Sequence, residues 1–159
     1  MKVVNKLLVV LHNVYSVQRV VELAKVVYGL GFNTLIVSRA HGAAAQSGVP
    51  EAQKIALRKS KNFFYVSDLA DVIEIFNPAL LLLFVPKDYA EEKFDVVRVV
   101  SLLRKGEVIA LVFGGAEPGL SKKELEMGKP TYIEGVEEDI GSTGLAAIAL
   151  YMLRRASKE

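Results

Sequence analysis

The sequence predicts an α/β protein with a mostly parallel six-stranded sheet and helices on both of its faces. Short apolar runs of strand length alternate with helical stretches along all 159 residues. Those runs are continuously apolar rather than alternating, which is typical of strands buried on both faces. The length suits one domain and leaves little room for a second, so residues 1–159 are predicted to form a single unit.

The strands are predicted at residues 6–12, 34–37, 63–66, 79–85, 108–113 and 131–133. Helices are predicted at residues 17–28, 50–62, 68–77, 90–104, after residue 121, and 145–155. Ser16 and Ser67 are expected to cap the helices that follow them, and Ser121 with Glu124 has the spacing of a capping box.

Composition limits the chemistry. The chain has no cysteine, which excludes disulfides, thiolate metal sites and cysteine nucleophiles. It has only two histidines, His12 and His41, so we expect no metal site. A formal net charge of +2 permits nucleic-acid binding without indicating it. No apolar run approaches the length of a membrane span and no signal-peptide pattern is present, so a cytoplasmic protein is expected.

The last predicted helix is apolar on all sides from Leu145 to Leu153. A helix without a polar face must be buried on more than one side. Because a small single domain has difficulty doing this at its end, the pattern predicts burial against a second subunit, and therefore a homodimer.

The segment 111–121, LVFGGAEPGLS, is a buried strand followed by a glycine-rich loop at a helix N-terminus. Gly114, Gly115 and Gly119 allow the backbone to approach a ligand closely, and Glu117 adds a carboxylate. Ligands of open α/β sheets bind beyond the carboxyl ends of the strands, where this loop lies. Taken alone, the segment is better explained as a tight strand-to-helix turn.

The loop also resembles the second motif of the SpoU methyltransferases, with one extra residue, Ala116, before Glu117. Residues 139–153, DIGSTGLAAIALYML, resemble the third motif, and the short strand ending at Ile133 resembles the strand that precedes it. The chain is therefore similar to the SPOUT (SpoU-like) superfamily of RNA methyltransferases. The likeness covers nearly the whole chain in order and is strongest after residue 108.

This resemblance implies a C-terminal trefoil knot and an S-adenosyl-L-methionine cofactor held by three loops. It implies methylation of a ribose 2′-oxygen or a base in tRNA or rRNA, and a homodimer formed through the first and last helices. The cofactor-binding residues it implies are Phe84, Pro86, Gly114, Gly115, Glu117, Gly119, Ile133, Gly141, Gly144 and Leu145.

The catalytic residues of the family have less direct counterparts in this sequence. The family uses an asparagine and an arginine at the start of its first helix, and alignment on Ala24 puts Ser16 and Glu22 in those places. Arg19, one turn earlier, is the candidate substitute, although an exposed ion pair with Glu22 is the simpler interpretation of it. The alternative function is therefore a diverged SPOUT protein that binds S-adenosylmethionine or RNA without methyl transfer.

The roles of two further groups of polar residues remain open. Ser142 and Thr143 could hydrogen-bond a ribose or the cofactor, or one of them could cap the last helix. His41 is either a general base or an ordinary exposed loop histidine, whereas His12 is expected to be buried with its hydrogen bonds satisfied.

Overall fold

The computed structural model describes residues 5–116 and 119–158. Within them the chain forms one sheet of seven strands, and every paired neighbour in the sheet is parallel. The strands are β1 (Leu7–Val14), β2 (Thr34–Ala40), β3 (Asn62–Val66), β4 (Leu80–Phe84), β5 (Glu92–Lys93), β6 (Ile109–Gly114) and β7 (Lys129–Tyr132). Their order across the sheet is β3-β2-β1-β6-β4-β7-β5.

Six α-helices lie between and after the strands in the described residues. They are α1 (Val17–Gly29), α2 (Val49–Lys59), α3 (Leu69–Phe76), α4 (Val96–Arg104), α5 (Lys122–Leu125) and α6 (Gly141–Ala156). None of these helices combines the length and the apolar character that crossing a lipid bilayer requires.

Both faces of the sheet are buried, as the continuously apolar strands predict. In β1, Leu7, Val9 and Leu11 point to one core, which α1, α2, α4 and α6 cover. Leu8 and Val10 alternate with them and point to a second, smaller core covered by α3. The two-residue periodicity of a strand therefore divides one apolar run between two cores.

The predicted count of six strands is wrong, because the sheet has a seventh strand, β5. It consists of Glu92 and Lys93, which pair with Thr131 and Tyr132 of β7. The sequence predicts a helix from residue 90, but α4 begins at Val96. The helix begins there because the Asp95 side chain accepts a hydrogen bond from the Arg98 backbone N–H and so caps it.

Other boundaries shift by a few residues. Asp68, rather than Ser67, is the N-cap of α3, and it forms a reciprocal capping box with Asp71. The loop predicted after β2 includes a π-helical turn at Ala44–Gly48. The predicted caps at Ser16 and at the Ser121–Glu124 box are both present.

The apolar last helix is largely buried within the monomer. Helix α6 lies against α1, α4 and β6, and Ala146, Ala149, Leu150 and Leu153 form its buried face. Ile148 and Tyr151 remain exposed, at 37% and 52%. The premise that a single domain cannot cover this helix is therefore wrong, although an exposed apolar strip remains.

Candidate functional site

A cavity of about 560 Å³ opens at the carboxyl ends of β4 and β6, beside the N-terminus of α6. It lies on the sheet edge where ligands of open α/β sheets bind. Its lining residues are Arg19, Phe84, Val85, Pro86, Tyr89, Phe113, Gly114, Ala116, Gly119, Leu120, Leu125, Asp139, Gly141, Ser142 and Leu145.

The cavity wall between β4 and β6 is aromatic. Phe84 and Phe113 are the last paired residues of the two strands and stack on each other, with ring centroids 4.7 Å apart and planes 13° apart. Both are almost completely buried, so this wall is rigid as well as apolar. A flat apolar wall suits a planar ring system such as a purine.

The glycine-rich loop packs too tightly for side chains at two positions. A Cβ added to Gly114 would lie 3.1 Å from the Cα of Gly119, at the opposite end of the loop. A Cβ added to Gly115 would lie 2.7 Å from the Cβ of Val14 and 3.0 Å from the carbonyl oxygen of Asn13. A side chain at Gly115 would collide with β1, and one at Gly114 would press on the backbone at the other end of the loop, so both positions favour glycine.

Ser142 has a buried hydroxyl group that lacks a hydrogen-bond partner among the described residues. Its side-chain oxygen is the one buried side-chain polar atom among the described residues that has no hydrogen-bond partner. The residue is 5% exposed and lines the cavity. Buried polar groups are nearly always hydrogen-bonded, so an orphaned hydroxyl in a cavity wall indicates a ligand group or water opposite it.

The prediction that Ser142 or Thr143 caps the last helix is wrong. Helix α6 already begins at Gly141, so both residues lie inside it, and its N-cap residue Ile140 offers no side-chain cap. The Asp139 carboxylate instead accepts from the Gly141 backbone N–H at 2.8 Å. Gly141 has φ 85°, a left-handed conformation that glycine adopts without strain.

Arg19 points into the cavity wall rather than pairing with Glu22. One of its guanidinium nitrogens donates to the carbonyl oxygen of Gly115 at 2.7 Å, and Glu22 accepts from Gln18. The predicted exposed ion pair is therefore wrong. Among the described lining residues, Arg19 is the only cation and Asp139 the only anion.

The structure brings together most of the residues predicted from the loops. Those that line the cavity are Arg19, Phe84, Pro86, Gly114, Gly119, Gly141, Ser142 and Leu145. Gly115 lies directly behind the wall, and Ile133 lines a smaller adjoining pocket. Thr143 and Gly144 are not lining residues, and Glu117 lies outside the described residues.

Several lining side chains, among them Phe113, Tyr89, Leu125 and Asp139, were not among the predicted site residues. Tyr89 lies in a single turn of 3₁₀-helix that follows Pro86, and Leu125 lies at the end of α5. Asp139 lies in the loop that precedes α6. Tyr89 follows one predicted cofactor loop and Asp139 lies in another. Their places in the sequence were therefore a weak indication that they line the site.

Behind the glycine-rich loop, a buried polar network joins α5 to the first two strands. His12 is fully buried, as predicted, and its ring nitrogens contact Ser38 Oγ at 2.8 Å and Glu124 Oε2 at 2.5 Å. The Arg39 guanidinium spans Glu124, at 3.2 Å, and Asp68, at 2.7 Å. His12 and Arg39 thus carry the donors that two carboxylates require.

The network also changes the acidity of its carboxyl groups. Burial alone would raise the pKa of Glu124, but hydrogen bonds from the Ser121 backbone N–H and from His12 outweigh it and lower the pKa below 4.5. For Asp68, burial is likewise outweighed, by the Leu69 backbone N–H and by Arg39, and the pKa falls below 3.8. Both groups are therefore held as carboxylates.

His12, Asp68 and Glu124 each offer one ligand atom, and these atoms lie within 4.8 Å of one another. They are residue types that bind divalent metals. The guanidinium of Arg39, however, already contacts both carboxylates.

Comparison with known proteins gives two results. Residues 42–152 match the model of the family described as RecB-family nuclease (DUF2122). A protein of Aeropyrum pernix, named as a candidate type II restriction enzyme, is 42% identical over 146 residues, which cover 92% of this chain and 91% of that protein.

Solved structures with a similar fold include proteins described as methylases or methyltransferases. A candidate methylase family protein from Haemophilus influenzae has a TM-score of 0.73 at 17% identity, covering 96% of this chain and 66% of that one. The SpoU methyltransferase AviRb from Streptomyces viridochromogenes, in complex with AdoMet, has a TM-score of 0.68 at 16% identity, covering 93% and 59%. The chain thus spans less than two thirds of either structure, and it shares with them the SPOUT-like fold that the sequence resemblance implied.

Proposed function

This chain belongs to the family described as RecB-family nuclease (DUF2122), and we propose that it is an S-adenosylmethionine-dependent RNA methyltransferase acting on a ribose 2′-oxygen or a base. The observation that carries the proposal is the orphaned Ser142 hydroxyl in a cavity whose other walls are the three predicted cofactor loops. The SPOUT-like fold supports it, since an AdoMet complex is among the structural neighbours.

The cavity fits the chemistry of S-adenosylmethionine. Its adenine is planar and apolar on its faces, as the stacked Phe84 and Phe113 are. Its amino acid end carries an ammonium group, for which the Asp139 carboxylate offers the opposite charge. The Ser142 hydroxyl would donate a hydrogen bond to a ribose or carboxylate oxygen of the cofactor. When bound, the cofactor supplies an activated methyl group.

The protein's contribution to such a transfer is mainly to position the two reactants. Leu145 and the phenylalanine wall exclude water from one side of the cavity. Arg19 offers guanidinium donors at the cavity, where they would hold a substrate phosphate or stabilise negative charge on the attacking oxygen. Its hydrogen bond to Gly115 fixes the side chain against the cofactor loop.

Two finer features are part of the proposal. The first is the trefoil knot, which the sheet order supports because β7 pairs between β4 and β5, strands that precede it in the chain. Pulling the chain from its termini in an optical trap would then release less contour length than an unknotted chain of 159 residues.

The second is a homodimer, supported by the exposed strip on α6.

Calorimetry with S-adenosylmethionine tests the cofactor site. The unaltered protein is expected to bind, and Ser142→Ala is expected to bind about tenfold more weakly, because one buried hydrogen bond is lost. Thr143→Ala is the matched control, since Thr143 neighbours Ser142 but does not line the cavity. No binding by the unaltered protein at millimolar cofactor would end the proposal.

Methyl transfer needs its own test, because the alternative is a protein that binds the cofactor or RNA without reacting. Incubation with S-adenosylmethionine labelled in the methyl group and bulk cellular RNA is expected to label the RNA. Binding without any label in RNA would favour the diverged, non-transferring protein.

The second candidate function is a metal-dependent nuclease, favoured by the His12, Asp68 and Glu124 cluster and by the family description. Arg39 argues against it, since a metal ion there would adjoin a guanidinium that already pairs with both carboxylates. The test is cleavage of duplex DNA with Mg²⁺ or Mn²⁺. Cleavage that Glu124→Gln abolishes, together with absence of cofactor binding, would replace the methyltransferase proposal.

A further inference from the structure

Tyr15 is an exposed aromatic residue whose ring stacks on a neighbouring ring. Its ring stacks on the imidazole of His41, with centroids 4.2 Å apart and planes 16° apart. Even so, the residue is 60% exposed. A stacked pair of rings with this much free surface presents a flat aromatic face to solvent.

The partner ring is fixed by the ends of β1 and β2. His41 Nε2 lies 2.8 Å from Asn13 Oδ1, to which it donates a hydrogen bond, and the His41 backbone N–H donates to the Val14 carbonyl at 2.9 Å. Asn13 has φ 64°, a left-handed conformation uncommon outside glycine and asparagine. Side chain and backbone together therefore pre-organise the Tyr15–His41 pair.

The pair lies beside the cavity rather than in it. Val14, which precedes Tyr15, packs directly against Gly115 of the glycine-rich loop. Gly115 also donates from its backbone N–H to the His12 carbonyl at 2.7 Å. Arg19, one helical turn beyond Tyr15, lines the cavity. The exposed rings and the cavity mouth thus share one edge of the sheet.

We propose that the Tyr15–His41 pair is a stacking platform for one unpaired base of the substrate RNA, adjacent to the nucleotide that enters the cavity. The inference rests on the proposed function, and it adds how that substrate is recognised. Single-stranded RNA is bound largely by stacking of splayed bases on aromatic side chains. Such stacking accepts any base, because every base has a π face.

The neighbouring charge fits the same ligand. Arg19 is the one cation among the described cavity-lining residues, and it lies four residues after Tyr15, in the first turn of α1. A nucleotide chain crossing this edge would stack a base on Tyr15 while a phosphate approaches Arg19. A base inside a duplex is already stacked on both sides, so the platform selects an unpaired segment.

Fluorescence anisotropy with a short fluorescein-labelled single-stranded RNA of mixed sequence tests the platform. Tyr15→Ala is expected to weaken RNA binding about tenfold. Tyr15→Phe keeps the ring and is expected to bind like the unaltered protein. Tyr65→Ala is the matched control, because Tyr65 is also an exposed tyrosine but lies on β3 without a stacked ring among the described residues.

Several results would overturn the inference. These are an unchanged affinity in Tyr15→Ala, an equal loss in Tyr15→Phe, or tighter binding of duplex DNA than of single-stranded RNA. Calorimetry with S-adenosylmethionine separates this inference from the proposed function. Cofactor binding that persists in Tyr15→Ala without any RNA defect refutes the platform alone. An RNA defect in a protein that never binds the cofactor upholds the platform and refutes the methyltransferase.

Discussion

His12 Nε2 lies 2.5 Å from Glu124 Oε2, although the two residues are 112 positions apart in the chain. His12 lies in β1, an interior strand of the sheet, two residues before the strand ends, whereas Glu124 lies in the short helix that follows the glycine-rich loop. Glu124 also accepts from the Ser121 backbone N–H at 2.8 Å. The buried contact therefore ties the far end of the loop to the middle of the sheet, which limits how far that loop can open.

This contact predicts that stability falls in acid. Because the pKa of Glu124 is lowered in the folded protein, its stabilising contribution is present above the ordinary value of 4.5 and is lost as the pH falls through the lowered pKa. Glu124→Gln is expected to reduce the free energy of unfolding at neutral pH by about 1–3 kcal/mol and to flatten the acid decline. Urea denaturation followed by circular dichroism at a series of pH values measures both effects.

The exposed neighbour Glu126 provides the control for that experiment. Glu126→Gln is expected to leave the acid decline unchanged, since Glu126 is outside the buried network. An acid decline of the same size in the unaltered protein and in Glu124→Gln would contradict the assigned role of the His12–Glu124 pair.

Gly115 provides a test of where the cofactor loop lies. Gly115→Val places its Cβ 2.7 Å from the Val14 Cβ, so the loop must move away from β1. We expect cofactor affinity to fall by about tenfold or more, because a misplaced loop loses its backbone hydrogen bonds to the ligand. Gly29→Ala is the matched control, since nothing lies within 4 Å of an added Cβ there. Equal affinities of Gly115→Val and Gly29→Ala in calorimetry would contradict the placement.

Much of the fold was predictable because apolar periodicity and capping are local. The six longer strands and the capping box at Ser121 follow from neighbouring residues, and all are present. β5 was not predictable, since Glu92 and Lys93 carry no apolar pattern and are extended through their pairing with β7. The start of α4 depends on one side-chain cap, Asp95, which competes with several equally plausible starts.

The candidate site likewise has features that the sequence predicts and features that it does not. Two of the glycines that line the cavity have a local reason for being glycine, since a Cβ on Gly114 would press on the Gly119 backbone and Gly141 has φ 85°. The contacts of Arg19 could not be predicted, since its partner Gly115 is 96 positions away in the sequence. The orphaned hydroxyl of Ser142 is a property of its surroundings, and no local pattern distinguishes it from its neighbour Thr143.

Arg19 is predicted to act mainly on methyl transfer. Its guanidinium lines the cavity and also holds the Gly115 carbonyl at 2.7 Å. Removing it in Arg19→Ala is expected to lower kcat for RNA methylation by about a hundredfold, with a smaller change in cofactor affinity. Gln18→Ala is the control, because Gln18 is exposed one residue away and contacts only Glu22. A loss of cofactor affinity as large as the loss of kcat would instead assign Arg19 a purely structural role at the loop.

The exposed strip on α6 predicts dimerisation through that helix. Ile148 and Tyr151 lie three residues apart, on one face of the helix, and remain 37% and 52% exposed in the monomer. A charge at Ile148 would be buried without a partner in a dimer, so Ile148→Arg is expected to shift the protein to monomer in size-exclusion chromatography with light scattering. Ile75→Arg is the matched control, since Ile75 is 61% exposed on α3, at the opposite face of the sheet. An unaltered protein that is monomeric at micromolar concentration would refute the dimer, and a dimer that withstands Ile148→Arg would move the interface away from α6.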